Sequence, residues 1–214
     1  KPLFHKKVIQ RINAMKKFLM LIALIMLFPL TYASGNISNG KSLTNTCQAC
    51  HGETGKSLSP AFPNIAGQNA QYLLKQLLEI QNGEREVLTM TGILDNLSKS
   101  DLSDIASFYE AQERYQGAAK QELVELGESI YRSGIPRKNI AACTACHSPT
   151  GNGNGPAAFP ALAGQWPDYT LKQLKNFQAG VRHNDGESQM MRTTAMDMNE
   201  KEMVAVASYL FGLQ

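Results

Sequence analysis

The sequence predicts an all-α protein built from two tandem copies of one helical unit. Three observations carry this. A set of short segments recurs in the same order in both halves of the 214 residues. Apolar residues follow helical spacing, as in Leu102, Ile105, Ala106 and Tyr109 against Met203, Val206, Ala207 and Leu210. No stretch alternates apolar and polar residues long enough to argue for a sheet.

The first element is a leader, residues 1–33. Met15-Lys16-Lys17 precedes an apolar run from Phe18 to Leu30, and Thr31-Tyr32-Ala33 forms a small-x-small site before Ser34. That order is the one of a cleavable secretory signal. An uncleaved anchor is the competing reading, but the run is short against the ~20 apolar residues that span a bilayer. The mature chain is expected to start near Ser34, outside the cytoplasm. The formal charge of +3 comes from this leader, which carries six basic residues and no acidic one. The remainder has 15 basic and 18 acidic residues, which argues against a nucleic-acid binder, since that function needs a positive face to neutralise phosphates.

The repeat defines the next elements: a first unit over 34–112, a linker over 113–121 and a second unit over 122–214. Cys47-Gln-Ala-Cys50-His51-Gly52 recurs as Cys143-Thr-Ala-Cys146-His147-Ser148 at an offset of 96. AFPNIAGQ, from Ala61 to Gln68, recurs as AFPALAGQ, from Ala158 to Gln165, at an offset of 97. One helix per unit is expected from about 69 to 82 and from about 168 to 179, with Gly83 and Gly180 as left-handed stops. The closing helices match at an offset of 101 and open on Ser98-x-x-Asp101 and Asn199-x-x-Glu202, where the first side chain caps backbone N–H groups and the acid returns the bond. The segment from Glu113 to Gln121 is polar and small and reads as a linker. Units this small cannot build a large core, so a big apolar prosthetic group would supply part of it.

All four cysteines lie in the two C-x-x-C-H motifs. Residues three apart share a face of a helical turn, so two thiols can reach the two vinyl groups along one edge of a haem, while the following His points at the iron. This reads as covalent c-type haem attachment. A redox C-x-x-C would need no His and would sit near a βαβ pattern. A zinc site would need cysteine pairs 96 residues apart and would not explain the matching segments downstream, while structural disulfides stay open as an alternative in an oxidising compartment. For the sixth iron position, Met90 is the only Met between Ser34 and Gln112. In the second unit Met190, Met191, Met196, Met198 and Met203 compete, and the offset of 101 places Met191 opposite Met90, with Met190 the main rival. Met198 and Met203 fall opposite apolar Leu97 and Leu102 and are expected in the core. His183 has no counterpart in the first unit and reads as a surface residue.

Taken together, the leader, the two C-x-x-C-H motifs, the FPxLAGQ-like segments, Met-Thr-Gly-Ile-Leu (Met90 to Leu94) and Met-Met-Arg (Met190 to Arg192) resemble the dihaem cytochrome c4 family over essentially all of Ser34 to Gln214. The resemblance implies two class I cytochrome c domains, each wrapped around one haem c, related by a pseudo-twofold axis with haem propionates close at the interface. Carried over, Cys47 and Cys50 hold one haem with His51 and Met90 on its iron; Cys143 and Cys146 hold the other with His147 and Met191. Pro63 and Pro160 stand where this class uses a proline carbonyl to accept the hydrogen bond of the axial His. The implied role is a periplasmic electron carrier, not an enzyme, often loosely membrane-associated, between a quinol-oxidising complex and a terminal oxidase. The rival role is a dihaem oxidoreductase, peroxidase-like, or the dihaem subunit of a dehydrogenase, which would need an iron with an open sixth position and acid–base residues beside it.

Overall fold

The structure, a computed structural model, describes residues 15–17 and 35–213. The apolar run and cleavage site of the leader lie outside the described residues. Nine α-helices lie within residues 35–213, in the order α1 (Ile37–Leu43), α2 (Asn45–His51), α3 (Ala70–Gln81), α4 (Lys99–Glu110), α5 (Val124–Ser133), α6 (Thr144–His147), α7 (Pro167–Gln178), α8 (Met190–Met196) and α9 (Glu200–Gly212). Strand-like pairing is limited there to two isolated antiparallel bridges, Ile135 with Ile140 and Asn154 with Phe159. None of the described helices is long and apolar enough to cross a membrane.

The closing helices form where their caps place them. Ser98 and Asn199 each accept from the backbone N–H three residues on, and Asp101 and Glu202 return the bond to the cap N–H, so both boxes are complete. α3 and α7 stop at Gln81 and Gln178, followed by Gly83 and Gly180 at φ +83° and +71°. In the first half Leu73, Ile105, Ala106, Phe108 and Tyr109 form a buried cluster that Cys47 packs against. In the second half Ile130, Tyr131, Ile135, Ile140, Val206 and Tyr209 do the same, joined by Cys143. Met198 and Met203 are 4% and 1% exposed and belong to that core.

α1 and α5 were not expected from the apolar periodicity. They open the two halves and pack against α4 and α9. The crossings are close because a glycine stands at each. A Cβ on Gly40 would lie 2.1 Å from the Asp104 carbonyl oxygen, and one on Gly127 would lie 2.4 Å from that of Ala205. Asp104 also ties down the start of α1, accepting from the Asn36 N–H and the Asn39 amide, each at 2.6 Å.

The polar segment between the halves is not a free tether. Tyr115 stacks on Phe211 at 5.6 Å between ring centroids and lies 5.1 Å from Trp166. Arg114 donates to the Gly67 carbonyl at 2.8 Å and to the Asn152 side chain, and the Lys120 N–H donates to Ser208 Oγ at 2.9 Å. Composition reported the segment's polarity but not these anchors.

Candidate haem-binding sites

In each half the C-x-x-C-H motif sits on a short helix, α2 or α6, directly against the core. The histidine is followed by a residue in the left-handed region, Gly52 at φ +76° and Ser148 at +67°. Glycine adopts that backbone freely, whereas Ser148 holds it with help from the Asn152 N–H, which donates to Ser148 Oγ at 2.9 Å. The turn brings the chain back so that the FPxxAG segment passes over the imidazole. His51 Nδ1 then donates to the Pro63 carbonyl at 3.0 Å, and His147 Nδ1 to the Pro160 carbonyl at 2.9 Å.

A ring whose Nδ1 is committed to a carbonyl offers Nε2 to a metal. Burial draws the pKa of both imidazoles below the ordinary histidine value, against the opposing pull of the proline carbonyl, so both rings are neutral near pH 7. A neutral imidazole is the form that ligates. The four cysteines are free thiols. Burial raises the Cys47 thiol and pushes Cys143 up to about 11. Among the described residues no group of three or more His, Cys, Asp or Glu could hold a metal ion, so zinc finds no ligand cluster there.

The methionines divide by burial. Met90 ends a 3₁₀ turn, Leu88–Met90, and is half-buried. In the second half Met191 is half-buried on α8, whereas Met190 and Met196 are 44% and 59% exposed. Met90 and Met191 thus stand on different local structure, a turn and a helix. His183 is exposed.

Sequence reasoning missed the residues that join the halves. Gln68 and Gln165 close the two AGQ segments, and each reaches across to the other half. Gln165 Oε1 accepts from the Asn64 N–H at 2.9 Å and its Nε2 donates to the Asn64 carbonyl at 2.8 Å. Gln68 makes the same pair of bonds to Ala161, at 2.7 and 2.9 Å. A second exchange lies nearby. Arg85 donates to Gln76 in its own half and to Tyr169 in the other, while Arg182 donates to Gln173 in its own half and to Tyr72 in the other. Burial works to raise the Tyr72 pKa, but the Arg182 and Arg85 charges outweigh it and bring it below the ordinary tyrosine value. Each pair, Gln68 with Gln165 and Arg85 with Arg182, repeats at an offset of 97, which was the signal available in the sequence.

The cytochrome c family matches residues 37–111 and 124–214. Cytochrome c4 of Azotobacter vinelandii is 45% identical over 193 residues, covering 86% of this chain and 92% of the relative. The crystal structure of reduced recombinant cytochrome c4 from Pseudomonas stutzeri superposes with a TM-score of 0.83 at 43% identity, covering 84% of this chain and all of that one. The thiosulfate dehydrogenase electron acceptor of Stutzerimonas stutzeri is 36% identical over 167 residues, or 76% of each chain. The cofactor of such a chain is a pair of covalently attached haem c groups. The donor set in both halves fits that group: two thiols on one helical turn, an imidazole with its Nδ1 already held, and a half-buried thioether.

Proposed function

The chain belongs to the cytochrome c4 family of dihaem electron-transfer cytochromes, and from that membership we propose that it carries electrons in the periplasm from a quinol-oxidising complex to a terminal oxidase. Bound haem c supplies a one-electron iron couple, and thioether ligation favours its reduced form. Cys47 and Cys50 anchor one haem through thioethers, with His51 and Met90 on its iron. Cys143 and Cys146 anchor the other, with His147 and Met191. Pro63 and Pro160 fix the orientation of the two imidazoles through their carbonyls. Residues 34–112 and 122–214 form the two haem domains, 113–121 join them, and the leader 1–33 is removed on export.

The observation that carries this reading is the paired bond from His Nδ1 to a proline carbonyl, made in both halves by matching residues. An imidazole and a thioether held to each iron would leave no position for oxygen, peroxide or another substrate, and the chemistry the haems would supply is transfer of electrons. Met191 is favoured over Met190 because the offset of 101 set by the closing helices places it opposite Met90. The likeness to a thiosulfate dehydrogenase electron acceptor supports a second reading, in which a dehydrogenase is the donor. Charge is uneven, since residues 34–112 have five basic and eight acidic residues whereas 113–214 have ten of each. Such asymmetry steers a charged partner and makes association faster at low salt.

The test is a carbon monoxide titration of the reduced protein with visible spectra, for the parent and for Met90→Ala, Met191→Ala and Met190→Ala. The parent and Met190→Ala should not respond, while Met90→Ala and Met191→Ala should each open one haem and lower its potential. A response in the parent would favour a dihaem enzyme instead. A response in Met190→Ala but not Met191→Ala would transfer the ligand to Met190.

A further inference from the structure

The carbonyl that accepts from each axial histidine belongs to a peptide group whose N–H points the other way, across the interface. The Pro63 carbonyl and the Asn64 N–H are two ends of one amide. His51 Nδ1 donates to the first at 3.0 Å, and the second donates to Gln165 Oε1 at 2.9 Å. The mirror chain runs from His147 Nδ1 to the Pro160 carbonyl at 2.9 Å, and from the Ala161 N–H to Gln68 Oε1 at 2.7 Å. Both glutamines are buried, and so are Asn64 and Ala161, whose N–H groups they receive, so these bonds act in a low-dielectric setting. Each glutamine is oriented without ambiguity, because its oxygen also accepts from the next backbone N–H, Asn69 or Trp166, each at 3.0 Å, and its nitrogen donates to a carbonyl.

We propose that Gln165 and Gln68 are crosswise tuning residues: each sets the reduction potential of the haem held by the opposite half, through the peptide that receives that half's axial histidine. Hydrogen bonds in a chain polarise one another. An acceptor on the Asn64 N–H makes the Pro63 carbonyl oxygen more negative, which strengthens its hold on the His51 Nδ1 proton. The imidazole becomes a more basic ligand and stabilises oxidised iron, so the potential falls. The domain contact therefore enters the redox property of both irons, and any partner that loosens it shifts both potentials upward. This inference rests on His51 and His147 being the axial ligands.

The experiment is a potentiometric titration of the haem-loaded protein and of Gln165→Leu and Gln68→Leu. The two waves are assigned by their displacement in Met90→Ala and Met191→Ala. Gln165→Leu should raise the haem anchored at Cys47 and Cys50 by about threefold in its reduction equilibrium, or ~30 mV for a one-electron couple, with the other wave unmoved. Gln68→Leu should do the reverse. Gln165→Glu keeps an acceptor for the Asn64 N–H, a stronger one, and should move the same haem downward. Hydrogen exchange at Asn64 should quicken in Gln165→Leu and stay slow in Gln165→Glu. A shift in the haem of the glutamine's own half, no shift at all, or a fall in Gln165→Leu as expected from water reaching the haem edge, would overturn the proposal. Failure of the underlying assignment looks different: His51→Ala would then leave the parent's low-spin spectrum unchanged.

Discussion

Replacing Gly127 by alanine tests whether the two helices of the second half touch backbone to backbone. The added Cβ would stand 2.4 Å from the Ala205 carbonyl oxygen, 2.6 Å from Tyr209 Cβ and 3.0 Å from the Ala205 carbonyl carbon. Ordinary contact between such atoms is about 3.5 Å, so α5 and α9 must part by about 1 Å. A gap of that size forfeits a quarter to a half of the dispersion energy of contacts along the crossing. Overpacking of a core costs about 1–3 kcal/mol, and a backbone neighbour that cannot rotate away puts this site at the upper end, near 3. Alanine recovers about 1 kcal/mol of helix propensity, leaving a net loss of about 2 kcal/mol. Denaturant midpoints of the haem-loaded protein measure it, with Gly155→Ala as the control. There the Cβ would meet nothing nearer than Asn69 Cγ at 3.9 Å, and φ is not positive. The control should be neutral or slightly stabilising. If Gly127→Ala cost no more than Gly155→Ala, the close crossing of α5 and α9 would be refuted.

Two further perturbations probe other parts of the fold. Burial acts to raise the Glu202 carboxyl, but hydrogen bonds from Lys138 and the Asn199 N–H, with the Lys138 and Arg137 charges, outweigh it and hold its pKa below the ordinary 4.5. A depressed carboxylate adds stability that is present above 4.5 and lost as pH falls through the folded value, so Glu202→Gln should flatten the acid limb of the stability curve and cost about 2 kcal/mol near neutrality. Tyr115→Ala removes two aromatic contacts worth about 0.5–1.5 kcal/mol each and should hasten proteolytic nicking in 113–121, whereas Lys120→Ala, which keeps the backbone bond to Ser208, should not.

Features governed by local chemistry were legible in the sequence. The capping boxes at Ser98 and Asn199 need only four residues, and the helix stops before Gly83 and Gly180 only one. The all-α architecture of two haem-bearing copies followed from the ordered repeat. α1 and α5 were not legible, because α1 has seven residues with only Gly40 buried, and α5 carries Gly127 in its interior, where a glycine lowers helix propensity. α8 was not legible either, because its seven residues bury only Ala195 and leave no apolar stripe to read. The AGQ glutamines were visible as repeated letters, but a side chain that bonds to the other copy leaves no trace in the spacing of its own. Composition likewise cannot report that Tyr115 finds two aromatic partners roughly fifty and a hundred residues away.

The exchange of partners between the halves has the form of a contact between identical subunits: residue i of one copy meets j of the other, and j meets i. In a true homodimer every substitution at such a surface acts twice. Here the copies are covalently joined, the association is intramolecular, and a change in one copy acts once. Asn64 already shows this freedom. Its side chain donates to the Gly164 carbonyl at 2.8 Å and accepts from the Ser57 N–H at 2.9 Å, bonds that Ala161, its counterpart, cannot form. Two haem sites with the same skeleton can thereby diverge one residue at a time, while the symmetric clasp that aligns them stays intact.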